Sequence, residues 1–378
     1  MNKNVVVLGC GLIGNAMARD LAIDGHFAVT AVDVRQDNLD RLRNVAAMKT
    51  AAIDLSDPAK IKAVIADADV VVGAMPSALG FSTLRTVIEC GKPFADISFM
   101  VEDAMQLDDL AKRHGACVVF DCGVAPGLAN VAIGHCHAAL DRTDRVVYYV
   151  GGLPKNPQWP WRYKAPFAPA DVLEEYTRPV RMIENGKPIT RPALSEPERI
   201  TFEPVGELEA FNTDGLRSLI RTIAAPNMVE KTLRHPGHAD LMAVLRESGF
   251  FSKDALQVGG ATIRPLDVTS RLLFPMWAYE EGEEEFTILR VIVEGRKGGR
   301  GIRYQYDLYD EYDRQNRRTS MARTTGFPCA IVARMLARGE IAEPGVHPPE
   351  YLGAQPGLLD TLMKELAARG VRLNGGIR

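Results

Sequence analysis

The feature that constrains this chain most is the run Val5-Val-Val-Leu-Gly9-Cys10-Gly11-Leu12-Ile13-Gly14. It sets G-x-G-x-x-G directly after an apolar strand and before a helical pattern in which Ile13, Met17 and Leu21 recur every four residues. Gly9 suits the tight turn, Gly11 lets backbone approach a diphosphate, and Gly14 lets helix and strand pack closely. The helix N-terminus offers unpaired N–H groups to phosphate oxygens. Asp33 ends the next apolar stretch, about twenty residues past Gly14, which is the spacing of a carboxylate that holds a ribose. The competing reading, a glycine turn in an unrelated α/β protein, does not account for strand, loop, helix and acid together.

Asp33 can accept hydrogen bonds from both ribose hydroxyls and repels a 2′-phosphate, so NAD is expected over NADP. Arg35 lies two residues on and keeps NADP open, by stacking on adenine or meeting a phosphate. Ligands of such sheets sit outside the carboxyl ends of the strands. The expected cofactor set is therefore Gly9, Gly11, Leu12, Ile13, Gly14, Asp33, Val34, Arg35, Asp54, Leu55, Met75, Pro76, Ser98, Gly123 and Val124. Asp54, Asp96 and Asp121 each follow an apolar run. Each either caps a helix, holds adenine or ribose, or faces the nicotinamide, and Asp96 and Asp121 are candidates on the substrate side.

Strand candidates Val5–Leu8, Ala28–Val32, Asp69–Gly73, Phe94–Ile97 and Cys117–Phe120 alternate with helical faces such as Leu84/Val87/Ile88 and Ala104/Leu107/Leu110. This predicts an α/β fold, a Rossmann-type doubly wound parallel sheet, over 1–125. After Gly127 the texture changes. The Pro-rich stretch 153–169 reads as a loop, and Ile302, Tyr304, Tyr306 and Leu308 alternate on one strand face. Thr287–Glu294 is a second strand, and 295–301 reads as the hairpin loop between the two. A mixed α/β domain is expected over 126–325. Helices over 326–338 and 357–369 are expected to return to the first domain within 326–378. The acidic run 280–285 and the basic loop after it read as solvated surface.

Lys+Arg is 45 against Asp+Glu 48 in 378 residues, so nothing points to a nucleic-acid partner. No apolar run reaches the roughly 20 residues of a membrane span. The start lacks an export signal, so the cytoplasm is the expected location. Six scattered cysteines without CxxC are expected reduced and buried. His135 and His137 lie i, i+2 on a helix, and His235 and His238 lack a clustered third ligand, so no metal is expected. Uncovered strand edges in the second domain suggest a homodimer or higher homo-oligomer.

At Gly123-Val-Ala-Pro-Gly-Leu-Ala-Asn130 the chain resembles the saccharopine dehydrogenase-like reductase family, and within it the lysine 6-dehydrogenase group. The resemblance continues through Tyr149–Pro154, Leu173–Pro179, Asn185–Pro188, Leu208–Asp214 and Lys231–His238 and covers nearly the whole chain. It implies a two-domain NAD-dependent oxidoreductase with a small amino-acid substrate. The implied reaction is oxidative deamination of L-lysine at its ε-amine to 2-aminoadipate 6-semialdehyde. The alternatives are a saccharopine- or carboxynorspermidine-type reductase joining a semialdehyde to an amine, and a non-catalytic NAD-binding protein. Saccharopine-forming relatives carry Asp where this chain has Ala125, and Tyr-Pro-Asn-Arg-Asp where it reads Phe211-Asn-Thr-Asp-Gly, which favours a smaller substrate.

Oxidising an amine requires it to be neutral, so a general base with a pKa near working pH is expected. His238, after a Pro-Gly turn, is the first candidate, with Tyr176 and Asp214 next. Asp214 has two further readings, pairing a substrate ammonium or capping the helix that follows. Arg234 is the first candidate for the α-carboxylate and Arg178 the second. Asn212 and Thr213, in the same family-like stretch, complete the substrate set.

Overall fold

The computed structural model describes residues 2–23, 25–43 and 48–378. Along the chain run β1 (Lys3–Leu8), β2 (Phe27–Asp33), β3 (Met48–Ala52), β4 (Val70–Gly73), β5 (Phe94–Asp96), β6 (Cys117–Val119), β7 (Arg142–Pro154), β8 (Val180–Glu184) and β9 (Lys187–Arg191). There follow β10 (Glu198–Phe202), β11 (Gly206–Asn212), β12 (Met228–Arg234), β13 (Leu256–Val258), β14 (Ala261–Ile263), β15 (Glu285–Lys297), β16 (Arg300–Glu311), β17 (Gly345–His347) and β18 (Leu373–Ile377).

The chain divides into two compact units. The first holds residues up to His135 together with Met321–Arg372. Its sheet is parallel throughout, in the order β17-β6-β5-β4-β1-β2-β3. The order reverses at β1, beside β4, and this switch point is where a doubly wound sheet opens its binding crevice. β1 and β4 are near-continuous valine because helices cover both sheet faces. β3 escapes a periodicity reading because Met-Lys-Thr-Ala-Ala is an edge strand with no buried residue.

The helices Ser320–Arg338 and Leu358–Ala368 are fixed to the helix Leu12–Ala22 through buried Asp20. Arg334 donates to the Asp20 backbone oxygen at 2.6 Å, and Arg369 Nε donates to Asp20 Oδ1 at 2.7 Å.

The second unit holds Cys136–Ser320 and Leu373–Arg378. Its mixed sheet runs β10-β11-β12-β7-β15-β16-β18, with β8 and β9 branching from β12. The expected boundary at 125/126 shifts to 135/136, with most of the helix Leu128–Ala139 staying in the first unit, and that at 325/326 shifts to 320/321, at the start of the helix Ser320–Arg338. The last residues also depart from the expectation: β18 pairs with the edge of β16 and does not join the first unit. Gly375 permits that pairing, since a Cβ there would lie 2.2 Å from the Gln305 oxygen.

The segment 155–168 is irregular, as its prolines require. The expected loop 295–301 shrinks to a two-residue turn. Cross-strand pairs run to Lys297↔Arg300, and Gly298 and Gly299 (φ +57° and +76°) supply the positive φ of the tight hairpin.

The acidic run is not uniformly solvated. Glu285 opens β15 on its inward face, is fully buried, and accepts the Ser320 N–H. Its neighbours pair with Lys164, Arg314 and Arg317. Five of the six free cysteines are buried and Cys90 is partly exposed.

Candidate active site

In the first unit the glycine loop has the geometry its residues require. Gly9 sits at φ +88° and donates to the Val32 oxygen at 2.8 Å. A Cβ on Gly9 would lie 2.4 Å from the Ala74 oxygen, and one on Gly14 1.9 Å from the Gly9 oxygen. Gly11, by contrast, faces open space. It precedes the helix Leu12–Ala22, whose first turn carries no side-chain cap. That leaves backbone donors free for a diphosphate.

Asp33 braces this loop. Its carboxylate accepts from Cys10 N at 2.7 Å, Arg35 N at 2.8 Å and Asn38 Nδ2 at 3.1 Å. Val34 and Arg35 are exposed beside it, and Arg35 has only a loose 3.9 Å contact with Asp37. Asp54 lies in the open and accepts from both Ser56 N and Ser56 Oγ, which holds it below the ordinary carboxylate range. With Ala52, Ile53 and Lys60 it lines an open depression. Leu55 turns the other way, into the apolar core, so its expected place in the cofactor set is corrected.

At the ends of β5 and β6 the structure places a buried acid pair. Asp96 is 1% exposed, and burial, with Asp121 nearby, pushes it up to about 7. Met75 N donates to Ser98 Oγ at 3.1 Å, and Ser98 Oγ donates to Asp96 Oδ1 at 2.7 Å. Among the described residues Asp96 Oδ2 has no hydrogen-bond partner. Gly73, opposite Asp96 on β4, makes the room, since a Cβ there would lie 2.2 Å from Asp96 Oδ1. Asp121 is buried at φ +52°. Pro76 leads into the helix Ser77–Glu89. Gly123 and Val124 bridge to Gly127, whose N–H is held by Asn130 at 3.1 Å, and Asn130 in turn donates to Glu350.

In the second unit Tyr176, Arg234 and His238 come together. β12 turns Glu230, Thr232 and Arg234 to one face by strand alternation. The Pro-Gly turn starts the helix His238–Glu247 at its histidine. Arg234 Nε donates to Tyr176 Oη at 3.1 Å. Tyr176 Oη lies 3.0 Å from His238 Nε2, and His238 Nδ1 lies 2.8 Å from the Trp161 oxygen. A carbonyl only accepts, so Nδ1 carries the proton and Nε2 accepts from Tyr176.

His238 is fully buried, and burial with Arg234 close by pushes it down to about 3. The expectation of a histidine titrating near neutrality is therefore corrected: this imidazole is neutral and both nitrogens are engaged. Arg234 is also not a waiting carboxylate receptor. Glu175 holds it in an ion pair, it donates to the Leu233 oxygen, and the Tyr163 ring lies 4.4 Å from its guanidinium carbon.

The other substrate candidates are engaged elsewhere. Asp214 accepts the Arg181 fork at 2.8 and 2.9 Å, together with the Arg181 backbone N–H, so it neither caps the following helix nor stands free as a base. Asn212 donates to Ser195 Oγ and Glu196. Arg178 pairs with Glu174 at 3.7 Å. Thr213 donates to Glu230, whose burial pushes its carboxyl up to about 8.

Sequence reading missed Glu175, Glu230, Tyr163, Trp277 and Tyr279. The alternation Glu230-x-Thr232-x-Arg234 was the available signal for Glu230, whereas Glu175 lies on the helix Pro169–Thr177. The last three bring buried polar atoms, Tyr163 Oη, Trp277 Nε1 and Tyr279 Oη, that have no partner among the described residues.

Comparison with known proteins covers both units. The model of the saccharopine dehydrogenase NADP binding domain matches residues 5–119, and that of the saccharopine dehydrogenase C-terminal domain matches 119–371. An L-glutamate-forming, NADP(+) saccharopine dehydrogenase of Schizosaccharomyces pombe is 24% identical, over 86% of this chain and 88% of its own. A carboxynorspermidine synthase of Vibrio cholerae is 24% identical over 67% of this chain and 62% of its own. The solved apo saccharopine dehydrogenase (L-Glu forming) of Saccharomyces cerevisiae shares the fold, with a TM-score of 0.81 at 20% identity over all of both chains.

Proposed function

The chain belongs to the saccharopine dehydrogenase family, and from that premise we propose that it is a nicotinamide-nucleotide-dependent oxidoreductase working at a C–N bond of an amino acid, by reductive joining of a semialdehyde to an amine. The observation that carries the redox part is the glycine cradle, with open space at Gly11 and an uncapped helix N-terminus. The relatives named for saccharopine and carboxynorspermidine support the joining reaction.

A bound nicotinamide supplies or accepts the hydride. Gly9 and Gly14 shape the loop, the open backbone at Gly11 and the helix N-terminus would hold the diphosphate, and Asp33 the adjacent ribose. Asp33 supports NAD as the preferred nucleotide, because a carboxylate fixed there by Cys10 N–H opposes a 2′-phosphate.

Proton handling is assigned to Asp96. It lies at the carboxyl end of its strand, its Oδ2 is unpartnered, and a value of about 7 lets it hold or release a proton at working pH. Tyr176 and His238 position each other, and Arg234, neutralised by Glu175, orients Tyr176.

A second reading, oxidation of L-lysine at its ε-amine, is supported by charge. The buried Arg234 is already compensated by Glu175, and Asp214 occupies Arg181, so neither guanidinium is uncommitted for a carboxylate of a tricarboxylic conjugate.

The test follows absorbance of the reduced nucleotide. Turnover with glutamate plus 2-aminoadipate 6-semialdehyde supports the first reading. Turnover with lysine alone transfers the assignment to the second. Tight nucleotide binding without turnover on any amine or aldehyde makes the chain a non-catalytic binder, and the absence of nucleotide binding ends both.

A further inference from the structure

The short helix Pro349–Gly353 lies flush against the helix Leu128–Ala139. Two glycines make the approach possible. A Cβ on Gly134 would lie 2.1 Å from the Glu350 oxygen, and one on Gly353 2.0 Å from the Val131 oxygen. β17 pairs in parallel with β6 and delivers this segment to the carboxyl end of β6. All of it belongs to the first unit.

The close approach brings a buried carboxylate to the loop that follows β6. Glu350 is 1% exposed and Asn130 is fully buried. Asn130 Nδ2 donates to Glu350 Oε2 at 3.0 Å, across 220 residues of chain, and Asn130 Oδ1 accepts the Gly127 N–H at 3.1 Å. An amide suits this place because it donates and accepts at once, and the carboxylate on one side and the N–H on the other fix which way it points. Gly127, at φ +135°, then closes the loop on itself. A Cβ there would lie 2.0 Å from the Gly123 oxygen, and Leu128 N and Ala129 N donate to the oxygens of Gly123 and Val124 at 2.9 and 3.0 Å.

The front of the same loop meets Asp96. Cys122 N donates to the Asp96 backbone oxygen at 2.9 Å. Asp121 is buried at φ +52°, a backbone region that a residue with a Cβ keeps where its neighbours hold it. We propose that Asn130 and Glu350 are positioning residues, which fix the Asp121–Gly127 loop and with it the Asp121 carboxylate beside Asp96. The proposal rests on the assignment of proton handling to Asp96.

The titratable groups around Asp96 are Asp121 and Cys122 of the loop and Cys329 of the helix Ser320–Arg338. β5 adds the Ser98 hydroxyl, and β4 sets the uncharged Gly73 opposite. Burial pushes the Cys329 thiol far up, so it stays neutral, and Asp121 is the source of negative charge. Asp96 is held up to about 7 by burial first and by Asp121 second. Slackening the loop admits water and lets Asp121 withdraw, and both changes favour the ionised form of Asp96.

Carbon-13 NMR of the full chain, labelled at its aspartate carboxyls, tests the proposal, with Asp96→Asn identifying the signal. Asn130→Ala and Glu350→Ala should each lower the midpoint of Asp96 by about one pH unit or more. The double variant should lower it no further than either alone, because the two residues act through one contact. A merely structural role would cost stability and leave the midpoint in place, so an unmoved midpoint in the folded variants overturns the proposal. Amide exchange at Gly127 in the wild type needs no variant. Protection as deep as that of the β1 amides supports the anchoring, and exchange at the rate of an exposed loop overturns it. The titration is read without turnover, so a failure of the assigned reaction shows in the rate profile and a failure of this inference in the midpoint.

Discussion

Replacing Glu230 by glutamine isolates what burial does to the polar core of the second unit. Glu230 is 2% exposed, and its Oε2 accepts from Thr213 Oγ1 and from Gly215 N at 3.1 Å. Burial raises its carboxyl from 4.5 to about 8. Below 4.5 it is protonated in both folded and unfolded chains and carries no cost. Between 4.5 and 8 the unfolded chain releases a proton that the folded chain keeps. The folded state then binds more protons, so stability falls as pH rises, by about 1.4 kcal/mol per unit. At pH 7 the accumulated cost is about 3 kcal/mol. Glutamine keeps an acceptor for both donors and has no proton to lose. E230Q should therefore match the wild type near pH 4.5 and exceed it by up to about 3 kcal/mol at pH 7. Trp159, Trp161 and Trp277, all the tryptophans of the chain, lie in the second unit, so urea unfolding followed by their fluorescence reports that unit alone. A difference between the two proteins that stays flat from pH 4.5 to 7, or has the opposite sign, refutes the reasoning.

Asp33→Asn keeps an acceptor for Cys10 N–H and removes the charge, so the preference for NAD over NADP in kcat/KM should fall about tenfold or more; an unchanged ratio sinks the ribose assignment. Asp96→Asn should lower kcat by about 10²–10⁴-fold and abolish the limb of the pH profile near 7, with nucleotide affinity intact by calorimetry. Glu175→Gln leaves the Arg234 charge uncompensated and should destabilise the second unit by about 3 kcal/mol in the same urea assay, with Arg234→Met added to it restoring part of the loss. Gly14→Ala places a Cβ 1.9 Å from the Gly9 oxygen and should abolish nucleotide binding, which fluorescence titration with NADH measures.

The first unit was legible because its information is local. Apolar β1, the glycine spacing and Asp33 lie within one strand–loop–helix–strand unit, and each restricts the backbone by itself. What escaped was short or unpatterned: β3 with no buried side chain, β17 with three residues, β18 carrying two glycines. In the second unit Tyr176, Arg234 and His238 are each singled out by the sequence, but the contacts that join them are not. Tyr176, Arg234 and His238 meet across 58 and 62 residues of chain. Asp214 was read as open to substrate because Arg181, 33 residues away, gives no sequence signal of pairing with it.

The same blindness to burial reverses the roles of acid and base. Histidine was the natural base because its value in water is near neutrality, and aspartate was not because its value is far below. Burial disfavours the charged form of both, so it moves them in opposite directions. His238 descends to about 3 and serves as a fixed acceptor, while Asp96 rises to about 7 and enters the working range. The difference between them is then one of bonding. Both His238 nitrogens are engaged, to Tyr176 and to the Trp161 carbonyl, whereas Asp96 keeps one oxygen without a partner. A group that exchanges protons needs both a value near the operating pH and an atom not already hydrogen-bonded, and of these two only the carboxyl in the first unit has both, with that oxygen enclosed by protein.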